Sequence, residues 1–291
     1  MSDGNVVGKV SQLWRYPVKS MGGEQIGSAV IDQNGVAGDR GWVIREGGEN
    51  RTARQVPRLL QCAARYVEAP SPERRSPQFE VTLPDDETLA SSADNFEQRL
   101  SQVLGREIAA LPLHPAEDLD HYRRPPADPT VDPMASMREV FGLEEGDPFP
   151  DLGDIPMDVL AQFQSPPGTY FDAFPIHIMT TASLNTLAAV GGGDDADVRR
   201  FRPNVLIDTG DAEGLLEVDW NGGRLKMGEV VIELKTTTVR CSIPAHAQRH
   251  FGSSRAVGRA LIEQTKQHLG SYCYVVEPGT VNVGDTVELL D

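Results

Sequence analysis

Residues 230–244 read VVIELKTTTVRCSIP. The run Val230–Val239 is dense in β-branched residues and predicts a strand. It delivers Arg240 and Cys241 to a strand end, with Pro244 close behind. A thiol beside an arginine in such a place favours thiolate, the form that binds soft metals or attacks electrophiles. Cys241 also fits a small buried hydrophobe, the commoner fate of a free cysteine. Cys62 and Cys273 lie in apolar runs and are expected in the core. Three cysteines far apart, with no CxxC, give neither a disulfide framework nor a zinc signature. His246 and His250 find no further ligand at zinc spacing.

Outward from this strand, the second half reads as α/β. Thr181–Val190 has helical spacing and stops at Gly191-Gly192-Gly193, and Asn204–Asp208 reads as a strand. Ser254–Leu269 is the strongest helix, with Ser254 as cap, Val257, Leu261 and Thr265 spaced four apart, and Gly270 past its end. Tyr272–Val276 and Thr280–Leu290 are closing strands around a Gly284-Asp285 turn. The first third is β-rich, with short strands at Val6–Trp14, Gln25–Ile31, Gly41–Arg45 and Phe79–Leu83. One helix is expected over 94–104, capped by Asp94 and closed by Gly105. Between the halves, 12 of the 21 prolines fall within 112–175. Proline fixes φ and removes a donor, which rules out a long helix or a central strand and predicts an extended connection.

A chain of 291 residues forms one large domain or two. Its 43 acidic residues against 27 basic ones give a formal charge of −16. Such a surface repels phosphate backbones and anionic headgroups, so neither nucleic acid nor a membrane is an expected partner. Any anionic ligand requires a local cluster of basic groups. The N-terminus lacks a basic stretch followed by an apolar one, and no apolar run approaches membrane length, so the expected location is cytoplasmic. There is no phosphate loop, GxGxxG, HExxH or GxSxG. Nucleotide, zinc-protease and serine-hydrolase readings therefore have no support.

Beside Cys241, three clusters carry chemistry. Tyr16-Pro17-Val18-Lys19-Ser20 sets an ammonium and a hydroxyl at a strand-to-loop junction, a pair that suits phosphate. Gly35-Val36-Ala37-Gly38-Asp39-Arg40-Gly41-Trp42 is a tight turn aiming Arg40, followed by Thr52-Ala53-Arg54-Gln55. Phe201-Arg202-Pro203-Asn204 precedes an apolar strand, with Pro203 expected to hold Arg202 extended and Asn204 offering donors and acceptors. Each alone also fits a plain role as a solvated lysine, a hairpin ion pair or a polar strand start.

In this order the segments resemble the MOSC family, named for the C-terminal domain of molybdenum cofactor sulfurases. The resemblance is to the branch with an extra N-terminal β-barrel domain, which includes the mitochondrial amidoxime-reducing component and its bacterial relatives. LWRYPVKSMGGE, GVAGDRGWVI and TARQVPRLL resemble landmarks of that N-terminal domain; IHIMTTASLNTLA, RFRPNVLID and TVRCSIP resemble the MOSC domain. The resemblance implies a mixed α/β, β-rich fold: an N-terminal β-barrel-like domain over 1–112, a Pro- and Asp-rich connection over 113–173, and a MOSC β-barrel domain with peripheral helices over 174–291. It further implies a molybdenum cofactor (molybdenum bound by a molybdopterin), and the family also carries pyridoxal phosphate binding as an attribute. By position, Lys19, Ser20, Arg40 and Arg54 would meet the phosphate end of the cofactor, and Arg202, Asn204 and Thr180 the phosphate or pterin. Cys241 would be the metal ligand and catalytic residue. The implied activity is reduction of N-hydroxylated small molecules, with electrons from a separate ferredoxin- or cytochrome b5-like protein. The branch tends to carry a Thr-Thr-Val-Asp-like stretch after the cysteine, whereas here Pro244-Ala245-His246-Ala247-Gln248 follows, so an acidic group is absent from that place. Two other readings stand beside this one: a sulfur or cofactor carrier using a Cys241 persulfide, and a non-enzymatic module binding a phosphorylated ligand.

Overall fold

A computed structural model of the chain describes residues 4–126 and 128–290. At its centre is a closed seven-stranded β-barrel. Its strands run in the order Val205–Asp208, Ile176–Thr180, His268–Glu277, Val230–Val239, Arg224–Met227, Thr286–Leu290 and Asn5–Arg15, which closes back on Val205–Asp208. Only the Ile176–Thr180 and Val205–Asp208 pair is parallel. The first strand of the chain is thus a stave of a barrel whose other six come from residues 176–290. The fold is mixed α/β and rich in strand, as the sequence leads one to expect.

Two-residue periodicity decides what faces inward. Ile176 and Ile178, Val205 and Ile207, Leu225 and Met227, Val230, Ile232 and Leu234, and Cys273 and Val275 fill the barrel. Each such side chain stabilises the fold by about 1.5–3 kcal/mol relative to exposure. The intervening residues face out. Met179, Leu206 and Leu269 pack there under a helical layer containing Leu187, Phe201, Val257 and Leu261. A second core lies in the N-terminal part, where Phe96, Leu100, Val103 and Leu104 of the helix Phe96–Leu104 cover Val18, Met21, Ile44 and Phe79.

Three local expectations need correction. The 94–104 helix starts at Phe96 behind Asn95, with no side-chain cap, so Asp94 does not cap it; Gly105 does close it in the left-handed conformation. The strongest helix spans Arg255–Thr265, capped by Ser254 as expected, but ends on Lys266. Gly270 therefore lies inside the strand His268–Glu277, not at a helix end. The proline-rich stretch is not simply extended: it forms the helices Leu119–Tyr122, Pro133–Phe141 and Met157–Gln162. None exceeds nine residues, and Pro133 stands at the first helical position, where its missing N–H costs nothing.

Gly270 has φ +88°, and a Cβ there would lie 2.3 Å from His177 Nε2 and 3.0 Å from the Ile178 carbonyl. Backbone strain and a clash with a buried ring thus act together. Gly270→Ala is expected to cost about 2–4 kcal/mol, read as a fall in the urea midpoint at unchanged m-value; a shift below 0.5 kcal/mol would contradict this account.

Candidate functional site

Period-two geometry also builds the cleft. On the strand Ile176–Thr180, Ile176 and Ile178 point into the barrel while His177 points out; on His268–Glu277, Cys273 points in and Tyr272 out. These outward residues, the strand end at Val239-Arg240-Cys241 and the segment Phe201–Asn204 form one wall of a cleft of about 820 Å³, its open mouth included. The facing wall comes from Lys19, Ser20, Arg40, Thr52 and Arg54. Seven of the eight residues singled out in the sequence, Lys19, Ser20, Arg40, Arg54, Arg202, Asn204 and Cys241, therefore line a single space. Thr180 lies outside it. Its hydroxyl caps the helix Thr181–Leu187 and donates to the buried Glu217 carboxylate at 2.6 Å.

Most of the cleft residues are held by their own contacts. Lys19 is nearly buried and donates from Nζ to the Tyr170 carbonyl and to Asp172 Oδ1, both at 2.7 Å. Ser20 Oγ accepts the Ala53 N–H at 3.0 Å, which fixes the loop bearing Thr52 and Arg54. Arg40 pairs with Asp39, and Asp39 also accepts the Tyr16 N–H. The Tyr16 ring is flanked by two guanidiniums, Arg202 at 4.2 Å and Arg40 at 5.0 Å. Arg202 is not extended before Pro203 as the sequence suggests. It adopts φ +58° and caps the helix Val198–Phe201, because the Tyr16 face and the Met21 carbonyl hold its guanidinium there. Ser20 and Arg40 also have positive φ, 72° and 50°. Non-glycine residues in this region mark sites where surrounding structure enforces strain.

Electrostatics in the cleft are one-sided. Burial and the neighbouring Arg40 push the Arg202 guanidinium down to about 10. Arg240, also lowered by burial, donates to the Phe201 carbonyl at 2.7 Å and approaches His177 Nε2 at 3.4 Å, while its Nε has no partner. Among the described residues neither Arg202 nor Arg240 forms an ion pair. Burial, reinforced by Arg240, holds the His177 imidazole well below its ordinary pKa, hence neutral. With Nε2 facing the Arg240 donor, Nδ1 carries the proton toward the Arg202 carbonyl at 3.4 Å. Asp172 is 70% exposed at its side chain; desolvation opposes ionisation, but Lys19 wins and holds its carboxyl well below the usual range.

Cys241 is half-buried, whereas Cys62 and Cys273 are buried, as expected of core residues, and burial pushes the Cys62 thiol up to about 12. The loop after Cys241 is pinned by Arg200, a fully buried guanidinium that donates to the carbonyls of Pro244, His246 and Gly252. Sequence reasoning missed His177, Tyr272 and Asp172. The alternation in IHIMT and SYCYV carried a signal for the first two; nothing local marked Asp172. Among the described residues, one group outside the cleft has metal-like spacing, His114, Asp118 and His121. His121 already engages Arg45 at Nδ1 and Tyr170 at Nε2, so it has no lone pair to give.

The MOSC domain family matches residues 166–288, and the MOSC N-terminal beta barrel domain family matches residues 7–118. The chain is similar to the human mitochondrial amidoxime-reducing component 1, with 26% identity over 315 positions covering 98% of this chain and 83% of that one. The human mitochondrial amidoxime reducing component 2 is 28% identical, over 81% of this chain and 65% of that one. Among solved structures, the YuaD protein of Bacillus subtilis aligns over 97% of this chain and 94% of its own, at 13% identity and a TM-score of 0.47.

His177 gives a pH test. Its folded pKa lies below the unfolded value near 6.5, so the unfolded chain takes up a proton that the folded one refuses as pH falls through that value. Its contribution is intact above pH 6.5 and declines below, by up to about 1.4 kcal/mol per pH unit. Replacing His177 by Gln should flatten the stability profile between pH 6.5 and 5 by that slope; an identical slope in both proteins would show that His177 protonates freely in the fold.

Proposed function

The chain belongs to the MOSC family, its N-terminal beta barrel domain and MOSC domain together spanning most of its length, and on that premise we propose that the cleft binds a molybdenum cofactor and that the protein is an oxidoreductase acting on N-hydroxylated small molecules. The observation that carries the reading is the charge imbalance. Lys19, Arg40, Arg202 and Arg240 meet only Asp39 and Asp172 in ion pairs, and the Arg240 Nε is buried without an acceptor. In a protein of charge −16, an uncompensated cationic cleft fits an anionic ligand. A half-buried thiol at the same cleft adds one soft donor, which fits a thiolate-binding metal.

The donor set suits the group, residue by residue. Lys19, Ser20, Arg40 and Arg54 would hold its phosphate end, with the planar guanidiniums as paired donors. Arg202 and Asn204 would contact phosphate or pterin, and Cys241 would bind the metal. Arg240 would aim its free Nε–H into the site, oriented by Phe201 and His177. Thr180, tied to Glu217, would act only by supporting the wall behind His177. When bound, the cofactor supplies a two-electron, oxygen-atom-transfer centre, so that an amidoxime, two electrons and two protons give an amidine and water. The neutral His177 keeps a further positive charge out of the cleft. The similarity to proteins named amidoxime-reducing components supports this substrate class. Electrons from a separate ferredoxin- or cytochrome b5-like donor are part of the proposal. Among the described residues no helix is long and apolar enough to cross a membrane.

Molybdenum measured by elemental mass spectrometry, in protein from a cofactor-competent host, tests the reading. The wild type is expected to carry close to one metal per chain, and Cys241→Ala to lose at least tenfold, about 1.4 kcal/mol or more of binding. Absence of metal from both, beside a control enzyme that loads in the same cells, would refute the proposal.

A further inference from the structure

Building on the reductase reading of this cleft, we infer that Tyr272 is the residue that positions and selects the substrate. Four other tyrosines, Tyr16, Tyr66, Tyr122 and Tyr170, are buried, and each donates its hydroxyl to a backbone carbonyl: Pro203 at 3.2 Å, Gly38 at 2.7 Å, His114 at 2.5 Å and Pro112 at 2.9 Å. Buried phenol hydroxyls normally find such partners. Tyr272 lines the cleft with Cys241, and among the described residues its hydroxyl bonds to nothing. Its ring is nonetheless fixed. It stacks on the buried Phe174 at 5.2 Å and 19°, and His177 tilts against it at 5.6 Å. A held ring with a free hydroxyl is a preorganised donor, and such a group contributes more to recognition than to the fold.

The surroundings say what it meets. Asp172 spends Oδ1 on Lys19, and among the described residues Oδ2 has no partner. A free phenol donor and a free carboxylate acceptor lie on one cleft. They complement an N-hydroxyamidine, whose hydroxylated nitrogen group accepts from Tyr272 and whose amino group donates to Asp172. The Tyr272 and Phe174 rings add a flat apolar surface, which favours a conjugated aryl substituent over an alkyl one. Asp172 thereby brings to the cleft, from a distant part of the chain, an acidic group that the segment after Cys241 lacks.

Steady-state kinetics of the molybdenum-loaded enzyme with benzamidoxime and acetamidoxime, using a viologen reductant, test this. A dissociation constant for benzamidine from isothermal titration calorimetry adds a readout independent of turnover. Tyr272→Phe keeps the ring and removes only the hydroxyl; it is expected to raise KM for both amidoximes about five- to tenfold, with kcat changing by a smaller factor. Tyr272→Ala is expected also to erase the preference for the aryl substrate and to weaken benzamidine binding. Metal content and thermal midpoint of Tyr272→Phe should match the wild type, which separates recognition from folding. KM values within twofold of wild type in Tyr272→Phe would overturn the inference while leaving the reductase reading intact. A loaded wild type that reduces neither amidoxime would overturn both.

Discussion

Closure of the barrel by its first strand is the constraint from which the site follows. Asn5–Arg15 pairs on one side with Thr286–Leu290 and on the other with Val205–Asp208, almost two hundred residues away. Without it both neighbours would be open edges with unpaired backbone groups. Val10 and Leu13 would also leave the barrel core. The same ladder carries the chain past Arg15 to Tyr16 and Lys19, and the Trp14 N–H to Asn204 O bond at 2.8 Å fixes that exit beside Arg202. The hydrogen bonds that finish the barrel therefore also assemble the cleft.

What the barrel assembles is electrostatically unfavourable by itself. Two like charges at about 4 Å repel by about 4 kcal/mol at an effective dielectric near 20, and the cleft gathers several cations with few acids. The protein offsets this locally. Tyr16 puts an aromatic face under two guanidiniums, Asp39 and Asp172 neutralise Arg40 and Lys19, and backbone carbonyls of Met21, Phe201 and Tyr170 each take one further donor. Three left-handed residues, Ser20, Arg40 and Arg202, hold the arrangement in place. Strain and like charge concentrated in one space would suit a preformed anion site, since a relaxed site has to reorganise on binding.

Much of this was legible in the chain. The β-branched run before Cys241, the Ser254 cap and the Gly105 close are local features that tertiary contacts did not disturb. The clusters around Lys19, Arg40, Arg202 and Cys241 were each visible as short motifs, though separately each fits a plain role. His177 and Tyr272 were hidden because an outward residue on a buried strand looks like any other residue of that strand until its neighbours are known. Gly270 was misplaced for a related reason. A glycine after a helical pattern signals a stop, but this one makes room for the His177 ring from a strand in a different part of the sequence.

The sequence by itself determined the strand before Cys241, the helices capped by Ser254 and closed by Gly105, the clusters of basic and thiol side chains, and the family. These depend on periodicity, side-chain chemistry and local backbone preference, which act over a few residues. Only the tertiary structure decided that the first strand belongs to the barrel of the second half, that Arg202 is left-handed, and that Asp172 and Tyr272 share a cleft with Cys241. Those outcomes depend on pairing and packing between segments up to two hundred residues apart, where the free energy lies in contacts that no local stretch contains.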